Sequence, residues 1–326
     1  MEFQLLKYGL SPLATLILVF FLSSCEKNIT VDLPTTESRL VIEGVIEQDQ
    51  PPYLILTRTE GFFDPTDASS LEQIFVHGAQ VTVDNGSMQF PLTELCTDQI
   101  PDSLIPLVAE LIGVSVETLE SINFCAYTTL DPMAYGEVGR SYSLTVNAEG
   151  KTATATTKIH EPVPLDSVWF KLEDPNENDS LGFAWAKLSD PDTLGNAYRW
   201  FAQRINDYAD GEQKDSYAIP PIGSAFTDQF FNGLSFEFFY FRGQIANSDK
   251  VDDNNAEANL FKVGDTIVVK FVTIGLAEED FYGSFEDQVV NTGNPFANPT
   301  NVLTNIEGGL GIWAGYGATY DTIIAY

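Results

Sequence analysis

The first residues with recognisable chemistry are Leu22-Ser23-Ser24-Cys25, a leucine and two small residues ahead of a cysteine. Lipoprotein signal peptidase needs this arrangement, because small side chains fit its cleavage pocket and the thiol accepts a diacylglyceryl group. The sequence therefore predicts a precursor that is cut before Cys25 and held to a membrane by acyl chains, each buried methylene contributing about 0.8 kcal/mol. The alternatives are an incidental cysteine in an ordinary secretory signal and an N-terminal anchor helix.

Residues 1–24 have the composition of a secretory signal. Lys7 supplies a positive charge, and the apolar run Leu13–Leu22 follows it. That run of about ten residues is too short to cross a bilayer core of about 30 Å as a helix. Residues 25–38 are polar, include Pro34 and have no periodic apolar face, so we expect a tether between the lipid anchor and the fold.

The other two cysteines, Cys96 and Cys125, have two interpretations. In an exported chain we expect a disulfide, which would close a loop of about 30 residues and stabilise the fold by about 3–4 kcal/mol. The alternative is a pair of buried free thiols. A metal site is not expected here, because the two histidines, His77 and His160, have no cysteine close to them in the sequence.

The acidic segment 249–257 is the one stretch whose side chains could coordinate a cation. Its hard oxygen ligands for Ca²⁺ would be Asp249, Asp252, Asp253 and Glu257. The central glycine and the spacing of an EF-hand are missing, and a solvated acidic loop is the alternative. Calcium is therefore the single cofactor that the sequence leaves open.

No residue pattern predicts catalysis. Neither histidine has a G-x-S-x-G-type serine nearby, and 47 acidic residues are too many for any one pair to indicate glycoside hydrolysis. The stretch Gly309–Ala314 fits a G-x-G-x-x-A dinucleotide fingerprint, but the residues after it are strand-like, whereas the fingerprint requires a helix there. We expect a non-enzymatic protein in which these glycines allow strands to pack closely.

Aromatic residues cluster in two places. Alternation along a strand places three of them on one side, Phe236, Phe238 and Tyr240. Phe239 points to the other side, and core packing is favoured over a ligand platform for this group. Trp313, Tyr316 and Tyr320 are better candidates for an exposed contact patch, with burial in the core as the alternative.

The elements that must position these residues are mainly strands. Runs of β-branched and aromatic residues between turn residues predict a mostly β fold, and the apolar content of 44% suits a folded chain. Residues 39–161 are predicted to form an Ig- or prealbumin-like β-sandwich with a helical insert over 98–124. Pro162-Val163-Pro164 marks the expected boundary, and residues 165–326 are predicted to form a second β-rich domain.

The helical insert is predicted to contain two short helices. The first would carry four apolar residues on one face, Leu104, Leu107, Val108 and Leu111. Gly113 would end this helix, and Ser115 can cap the second. Because Cys96 and Cys125 bracket the insert, their disulfide would fix it to the sandwich.

The net charge of −31 excludes one class of partner. An acidic surface repels nucleic acid and offers no basic patch for phosphate contacts. We therefore expect no nucleic-acid binding.

Taken in order, several short motifs resemble a lipoprotein family of the Bacteroidetes, domain-of-unknown-function family 4249. These motifs are Ser24-Cys25-Glu26-Lys27, Val31-Asp32-Leu33-Pro34, Leu40–Gly44, Pro51–Arg58, Phe241-Arg242-Gly243, Phe261–Thr266, Asn294-Pro295-Phe296 and Asn305–Tyr316. The resemblance covers nearly the whole chain after Cys25, and the cysteine-bracketed insert is part of it.

The resemblance implies a role rather than a reaction. Members of the family are commonly encoded beside an outer-membrane TonB-dependent receptor, which implies a part in nutrient uptake or receptor assembly and brings no catalytic residues. The expected location is the outer membrane. Its extracellular face is favoured over its periplasmic face. The run of acidic residues after the lipidated cysteine that is typical of surface lipoproteins in this phylum is reduced here to Glu26. The alternative function is a free-standing surface adhesin that binds a glycan or a peptide.

Overall fold

The computed structural model describes residues 37–61, 72–174, 180–209, 211, 213–243, 259–291 and 301–326. Ser38–Tyr326 forms one compact unit. Within the described ranges, no helix combines the length and the hydrophobicity that are needed to cross a membrane.

Strands account for most of the regular structure. They are β1 (Leu40–Glu47), β2 (Tyr53–Arg58), β3 (Gln80–Asp84), β4 (Gln89–Cys96), β5 (Cys125–Thr128), β6 (Ser141–Ala148), β7 (Lys151–Lys158), β8 (Ser167–Leu172), β9 (Leu181–Ser189), β10 (Ala197–Arg204), β11 (Ala225–Thr227), β12 (Ser235–Tyr240), β13 (Phe261–Lys262), β14 (Thr266–Ile274) and β15 (Leu310–Ile324). The predicted mostly β fold class is confirmed.

Helices are few in the described residues. The α-helices are α1 (Ile105–Ile112), α2 (Val116–Ser121) and α3 (Leu276–Asn291). Short 3₁₀ turns cover Thr97–Gln99, Asp102–Leu104, Pro132–Ala134 and Asp228–Phe230. Thus α1 and α2 lie between β4 and β5, where the sequence predicts an insert.

The larger sheet has 11 strands in the order β11-β10-β14-β15-β1-β2-β5-β4-β3-β6-β7. Its fourth and fifth strands, β15 and β1, form a parallel pair, in register from Val41 opposite Leu310 to Glu47 opposite Tyr316. In the smaller sheet, β9 pairs with β8, β12 and β13. The larger sheet therefore runs through both segments that are predicted to be separate domains, and the division at Pro162 stays a prediction.

The first core forms because the larger sheet curls on itself. Thr154 in β7 and Glu307 just before β15 exchange two backbone hydrogen bonds of 2.9 and 2.8 Å. Apolar side chains of both halves meet inside the curl, among them Leu40, Ile42, Leu54, Val81, Leu144 and Trp313. These strands are rich in β-branched residues with inward alternation, which suits a sheet with one buried face.

Gly311 shows why the last strand is rich in glycine. Its φ is +97°, and a β-carbon on it would lie 1.9 Å from the carbonyl oxygen of Ile42. Only glycine allows β15 to approach β1 this closely. The expectation that these glycines serve strand packing is confirmed, because the fingerprint-like stretch continues as strand up to Ile324.

The second core lies between the smaller sheet and the strands β10 and β14. It buries small and aromatic side chains, including Ala184, Ala186, Tyr198, Trp200, Val269 and Phe271. Helix α3 covers the opposite face of β10, β14 and β15, where Phe201, Val272, Ile312 and Ala314 are buried.

The apolar face predicted for the first helix is wrong at Leu104 and Leu107, whereas Val108 is partly buried in contact with the core as predicted. The Leu111 side chain lies outside the described part of the structure. Leu104 and Leu107 are exposed, whereas Ile105, Ala109 and Ile112 are buried against the outer side of β2 and β5. Spacing of four and then three residues places these three side chains on one helical face, and docking onto the sheet selects this face. The predicted helix ends are confirmed, because Gly113 has a φ of +70° and the Ser115 side chain accepts a hydrogen bond from the Thr118 N–H.

Candidate functional site

Five aromatic residues lie on the outer side of the smaller sheet, away from the second core. We call them the aromatic face: Trp169 on β8, Phe183 and Trp185 on β9, Phe239 on β12, and Phe241 just after β12. The strand register aligns them, since Trp185 lies opposite both Trp169 and Phe239.

Alternation along β12 explains why these rings point outward. Phe236, Phe238 and Tyr240 pack into the second core, with the Phe238 ring 5.9 Å from the Trp200 ring. Successive strand residues point to opposite faces, so Phe239 must face away from that core. The alternation predicted for this strand is confirmed, and both of its sides carry aromatic rings.

The rings of the aromatic face contact one another as a continuous surface. Centroid distances are 6.3 Å for Trp169–Trp185, 4.8 Å for Trp185–Phe239, 4.6 Å for Phe183–Phe239 and 5.3 Å for Phe183–Phe241. The exposed fraction is 39% for Phe239 and 51% for Phe241. Exposed apolar rings that touch each other usually mark an interaction surface.

Charged groups border these rings. The ammonium of Lys171 lies 4.8 Å from the ring centroid of Trp185, within the range of a cation–π interaction. Lys187 lies opposite Glu237 in the pairing of β9 with β12. The indole N–H of Trp185 is buried and has no hydrogen-bond partner in the described part of the chain. Such a surface can bind apolar side chains of a protein or the C–H faces of a sugar.

The predicted contact patch does not exist as one exposed surface. Trp313 is fully buried in the first core, where its indole N–H donates to the Tyr142 carbonyl at 3.1 Å. Tyr316 is 5% exposed and lies beneath α3, and only Tyr320, 58% exposed, reaches solvent. The physical reason is strand alternation, which directs Trp313 to the opposite face of β15 from Tyr316 and Tyr320.

Tyr316 belongs to a cluster that holds α3 on the sheet. Its hydroxyl lies 2.5 Å from that of Tyr282 on α3 and accepts a hydrogen bond from Arg199 at 3.4 Å. The Arg199 guanidinium also stacks 3.5 Å from the Tyr282 ring centroid. Burial raises the pKa of Glu286 on α3, although the Gly223 N–H and Arg199 oppose this shift. These contacts give the cluster a structural role.

Tyr320 and its neighbours form a smaller polar group on the same side of β15 as Tyr316. The Tyr320 hydroxyl donates to Glu47 at 2.5 Å, and Lys270 forms an ion pair with Glu47. Although the Tyr320 ring is largely exposed, burial around its hydroxyl and the nearby Glu47 carboxylate raise the pKa of Tyr320 above its ordinary value. Tyr320 therefore remains protonated and acts as a hydrogen-bond donor.

The predicted disulfide between Cys96 and Cys125 is confirmed. The structure adds two side chains that sequence reasoning did not connect with it. Nδ1 of His77 lies 2.5 Å from Oε1 of Glu94, and the metal-ligating atoms of the four residues all lie within 4.8 Å of one another. The expectation that no histidine has a cysteine neighbour is wrong in three dimensions, because strand pairing brings distant segments together.

Glu94 is held in its ionised form at this cluster. Partial burial opposes ionisation, but the Gly78 N–H and the His77 side chain together lower the pKa of Glu94. The Gly78 N–H donates to Oε2 of Glu94 at 2.8 Å. The carboxylate is therefore a fixed oxygen donor beside an imidazole and two sulfur atoms.

The remaining predicted site residues lie outside the described residues. They are Cys25 for lipidation and Asp249, Asp252, Asp253 and Glu257 for calcium. Both assignments stay predictions.

Comparison with known protein families assigns this chain to one of them. A family model described as a domain of unknown function (DUF4249) matches residues 26–321, and the chain belongs to this family. The family predicted from the sequence motifs is thereby confirmed, whereas the lipoprotein character, the Bacteroidetes origin and the link to a TonB-dependent receptor stay predictions. Among curated proteins, the chain has no significant match.

Proposed function

We propose that this protein is a non-catalytic, lipid-anchored accessory protein of the outer membrane that contacts a TonB-dependent receptor during nutrient uptake or receptor assembly. The anchor would be Cys25, and the extracellular side of the membrane is favoured over the periplasmic side. The observation that carries the proposal is the aromatic face, in which Phe239 and Phe241 are exposed to solvent beside partly buried tryptophans, on a chain with a net charge of −31.

The aromatic face supports contact with a protein. Tryptophan and other aromatic rings supply much of the binding energy at protein interfaces, since they bury a large area at little cost in conformational entropy. Trp185 is central, because it contacts the Trp169 and Phe239 rings on either side and the Lys171 ammonium above it. We assign this residue as the anchor of the contact.

The anchor and the face complement each other. Acyl chains on Cys25 would confine the protein to a membrane surface, which raises its effective concentration towards a barrel in the same membrane. The compact unit begins at Ser38, so the sequence 25–38 would span the distance between lipid and fold. An interface of ordinary affinity would then be sufficient for a lasting complex.

Co-purification with a β-barrel receptor tests this function. The tagged full chain is expressed in the bacterium that encodes it and recovered after mild detergent extraction. We expect a TonB-dependent receptor in the eluate, and a loss of about tenfold or more in its recovery with Phe239→Ser and Phe241→Ser combined, because hot-spot truncations cost about 2 kcal/mol or more.

Phe285 provides a matched control for this experiment. It is 48% exposed on α3, close to the 51% of Phe241, and it does not belong to the aromatic face. Phe285→Ser should leave receptor recovery unchanged. Equal recovery with all three forms, or an eluate without any barrel, would contradict the proposal.

A second function has one specific observation in its favour. The Trp169 and Trp185 rings lie 24° from parallel, and flat indole surfaces suit stacking against sugars. A free-standing adhesin would bind a glycan or a peptide through this face without a receptor. Binding of the purified chain to an immobilised glycan, lost with Trp185→Ala, together with an eluate free of barrels, would favour the adhesin.

A further inference from the structure

Four side chains with metal-ligating atoms meet at the end of the β4–β5 pair. Glu94 and Cys96 are two residues apart on β4, so they point to the same face, and Cys125 on β5 lies directly opposite Cys96. His77 comes from the segment before β3 and places Nδ1 2.5 Å from Oε1 of Glu94. One nitrogen, one oxygen and two sulfur donors therefore share a single small volume.

Contacts other than the disulfide hold these donors in place. The β4–β5 ladder continues beyond Cys96 and Cys125 through three further residue pairs, up to Thr93 opposite Thr128. The Tyr127 hydroxyl ties down the segment around His77, because it accepts from the Ala79 N–H at 3.0 Å and donates to the Val76 carbonyl at 2.7 Å. Reduction of the sulfur–sulfur bond would leave both thiols adjacent.

The donor set has the chemistry of a zinc site. Zn²⁺ binds cysteine sulfur at about 2.3 Å and histidine nitrogen or carboxylate oxygen at about 2.0–2.2 Å, almost always with four ligands in a tetrahedron. Tetrahedral geometry at those bond lengths separates donors by about 3.5 Å, within the 4.8 Å that encloses the four donors here. Two thiolates also select a borderline-soft ion such as Zn²⁺ over Ca²⁺ or Mg²⁺.

We propose that the reduced chain binds one Zn²⁺ through His77, Glu94, Cys96 and Cys125, so that the disulfide and the metal are alternative states of one site. A dithiol reductant donates two electrons and two protons, the Cys96–Cys125 bond breaks, and the reductant becomes its own disulfide. Metal binding then displaces both thiol protons, and each thiolate sulfur donates an electron pair to the ion. In the reverse direction, an oxidant that carries a disulfide accepts the two electrons of the thiolates and two protons from solvent and becomes a dithiol, the Cys96–Cys125 bond re-forms, and Zn²⁺ is released.

The surroundings allow an ion to reach the site. The His77 side chain is 56% exposed, whereas Cys96 and Cys125 are buried, so the imidazole forms the solvent side of the site and the sulfurs its base. The net charge of −31 raises the local concentration of cations at the surface. Neither feature depends on a receptor, so this inference stands apart from the proposed function.

Zinc titration of the full chain tests the proposal. One sample is reduced with a phosphine under anaerobic conditions and the other is kept oxidised, and both are titrated against a chromophoric chelator. We expect about one Zn²⁺ per reduced chain and no chelator-competitive binding by the oxidised chain. His77→Ala and Glu94→Gln should each weaken zinc binding at least about tenfold, since even outer-shell partners of a metal site contribute about 10–100-fold.

Two controls distinguish zinc binding at this site from nonspecific binding to surface carboxylates. His160→Gln removes the other histidine and should leave zinc affinity unchanged. Co²⁺ added to the reduced chain should give a thiolate-to-metal charge-transfer band that is absent with Cys96→Ser, and far-UV circular dichroism reports whether each form is folded. Equal zinc binding by oxidised and reduced chains, or a folded reduced chain without the cobalt band, would overturn the proposal.

Discussion

Replacing Trp313 with alanine tests whether the last strand closes the first core. Trp313 is fully buried, and its indole N–H donates to the Tyr142 carbonyl. Truncation of a buried tryptophan to alanine costs about 3–5 kcal/mol in the free energy of unfolding, through lost transfer energy and the cavity that remains. An exposed contact residue would cost under about 0.5 kcal/mol.

A second substitution, at Gly44, tests whether Trp313 fills the space assigned to it in the first core. A β-carbon on Gly44 would lie 2.7 Å from Cε3 of Trp313 and 3.0 Å from Cβ of Leu54. Gly44→Ala alone should therefore cost about 1–3 kcal/mol through overpacking. In the double variant the new methyl group enters the space left by the indole, so the combined cost should fall short of the sum by about 1 kcal/mol or more.

Urea denaturation followed by far-UV circular dichroism measures all three variants, because Trp313→Ala removes a fluorophore. Additive costs for Gly44→Ala and Trp313→Ala would refute the direct contact between them. A Trp313→Ala cost below about 1 kcal/mol would refute its place in the core.

Three further predictions concern the described residues. Replacing Cys96 and Cys125 together with serine should lower the free energy of unfolding by about 3–4 kcal/mol in urea titrations, because the cysteines are 29 residues apart and the open loop adds chain entropy to the unfolded state. Asp215→Asn should cost about 3–5 kcal/mol in the same assay, since Asp215 binds the buried Arg204 through two side-chain hydrogen bonds of 3.0 and 2.9 Å. Burial raises the pKa of Glu278 above 4.5, although the Thr157 hydroxyl and nearby backbone N–H groups oppose this; the folded state therefore retains this proton at higher pH than the unfolded state. Stability from this group should fall as the pH rises from about 4.5 through the raised pKa, and melting curves of Glu278→Gln should show a weaker decline over that range.

Local patterns were enough to locate many of the strands. The runs Leu40–Glu47, Ser167–Leu172 and Thr266–Ile274 are examples of segments that form strands. Their β-branched and aromatic residues lie between turn residues, so local preference and final structure agree.

Pairing between distant segments was beyond sequence reasoning. The parallel contact of β1 with β15 joins residues about 270 positions apart, and no local pattern encodes a partner at that distance. The same limit hid the proximity of His77 to Cys96 and Cys125, which depends on the pairing of β4 with both β3 and β5.

Helix and strand faces depend on what packs against them. A helix whose residues are mostly apolar has several possible buried faces, and contact with β2 and β5 selects Ile105, Ala109 and Ile112. One residue of the aromatic face is predictable from the sequence, because alternation along β12 places Phe239 on the opposite side from Phe238 and Tyr240. The extension of the aromatic face onto β8 and β9 depends on the strand order, which local sequence patterns do not reveal.

The proposed function requires a lipid on Cys25 that fixes the protein to a membrane. Metabolic labelling with radioactive palmitate, followed by membrane fractionation, measures this directly in the wild type and in Cys25→Ala. We predict a labelled wild-type protein in the outer-membrane fraction and an unlabelled variant that leaves that fraction. A wild-type protein without label, or a Cys25→Ala protein that remains in the outer-membrane fraction at the wild-type level, would contradict the account.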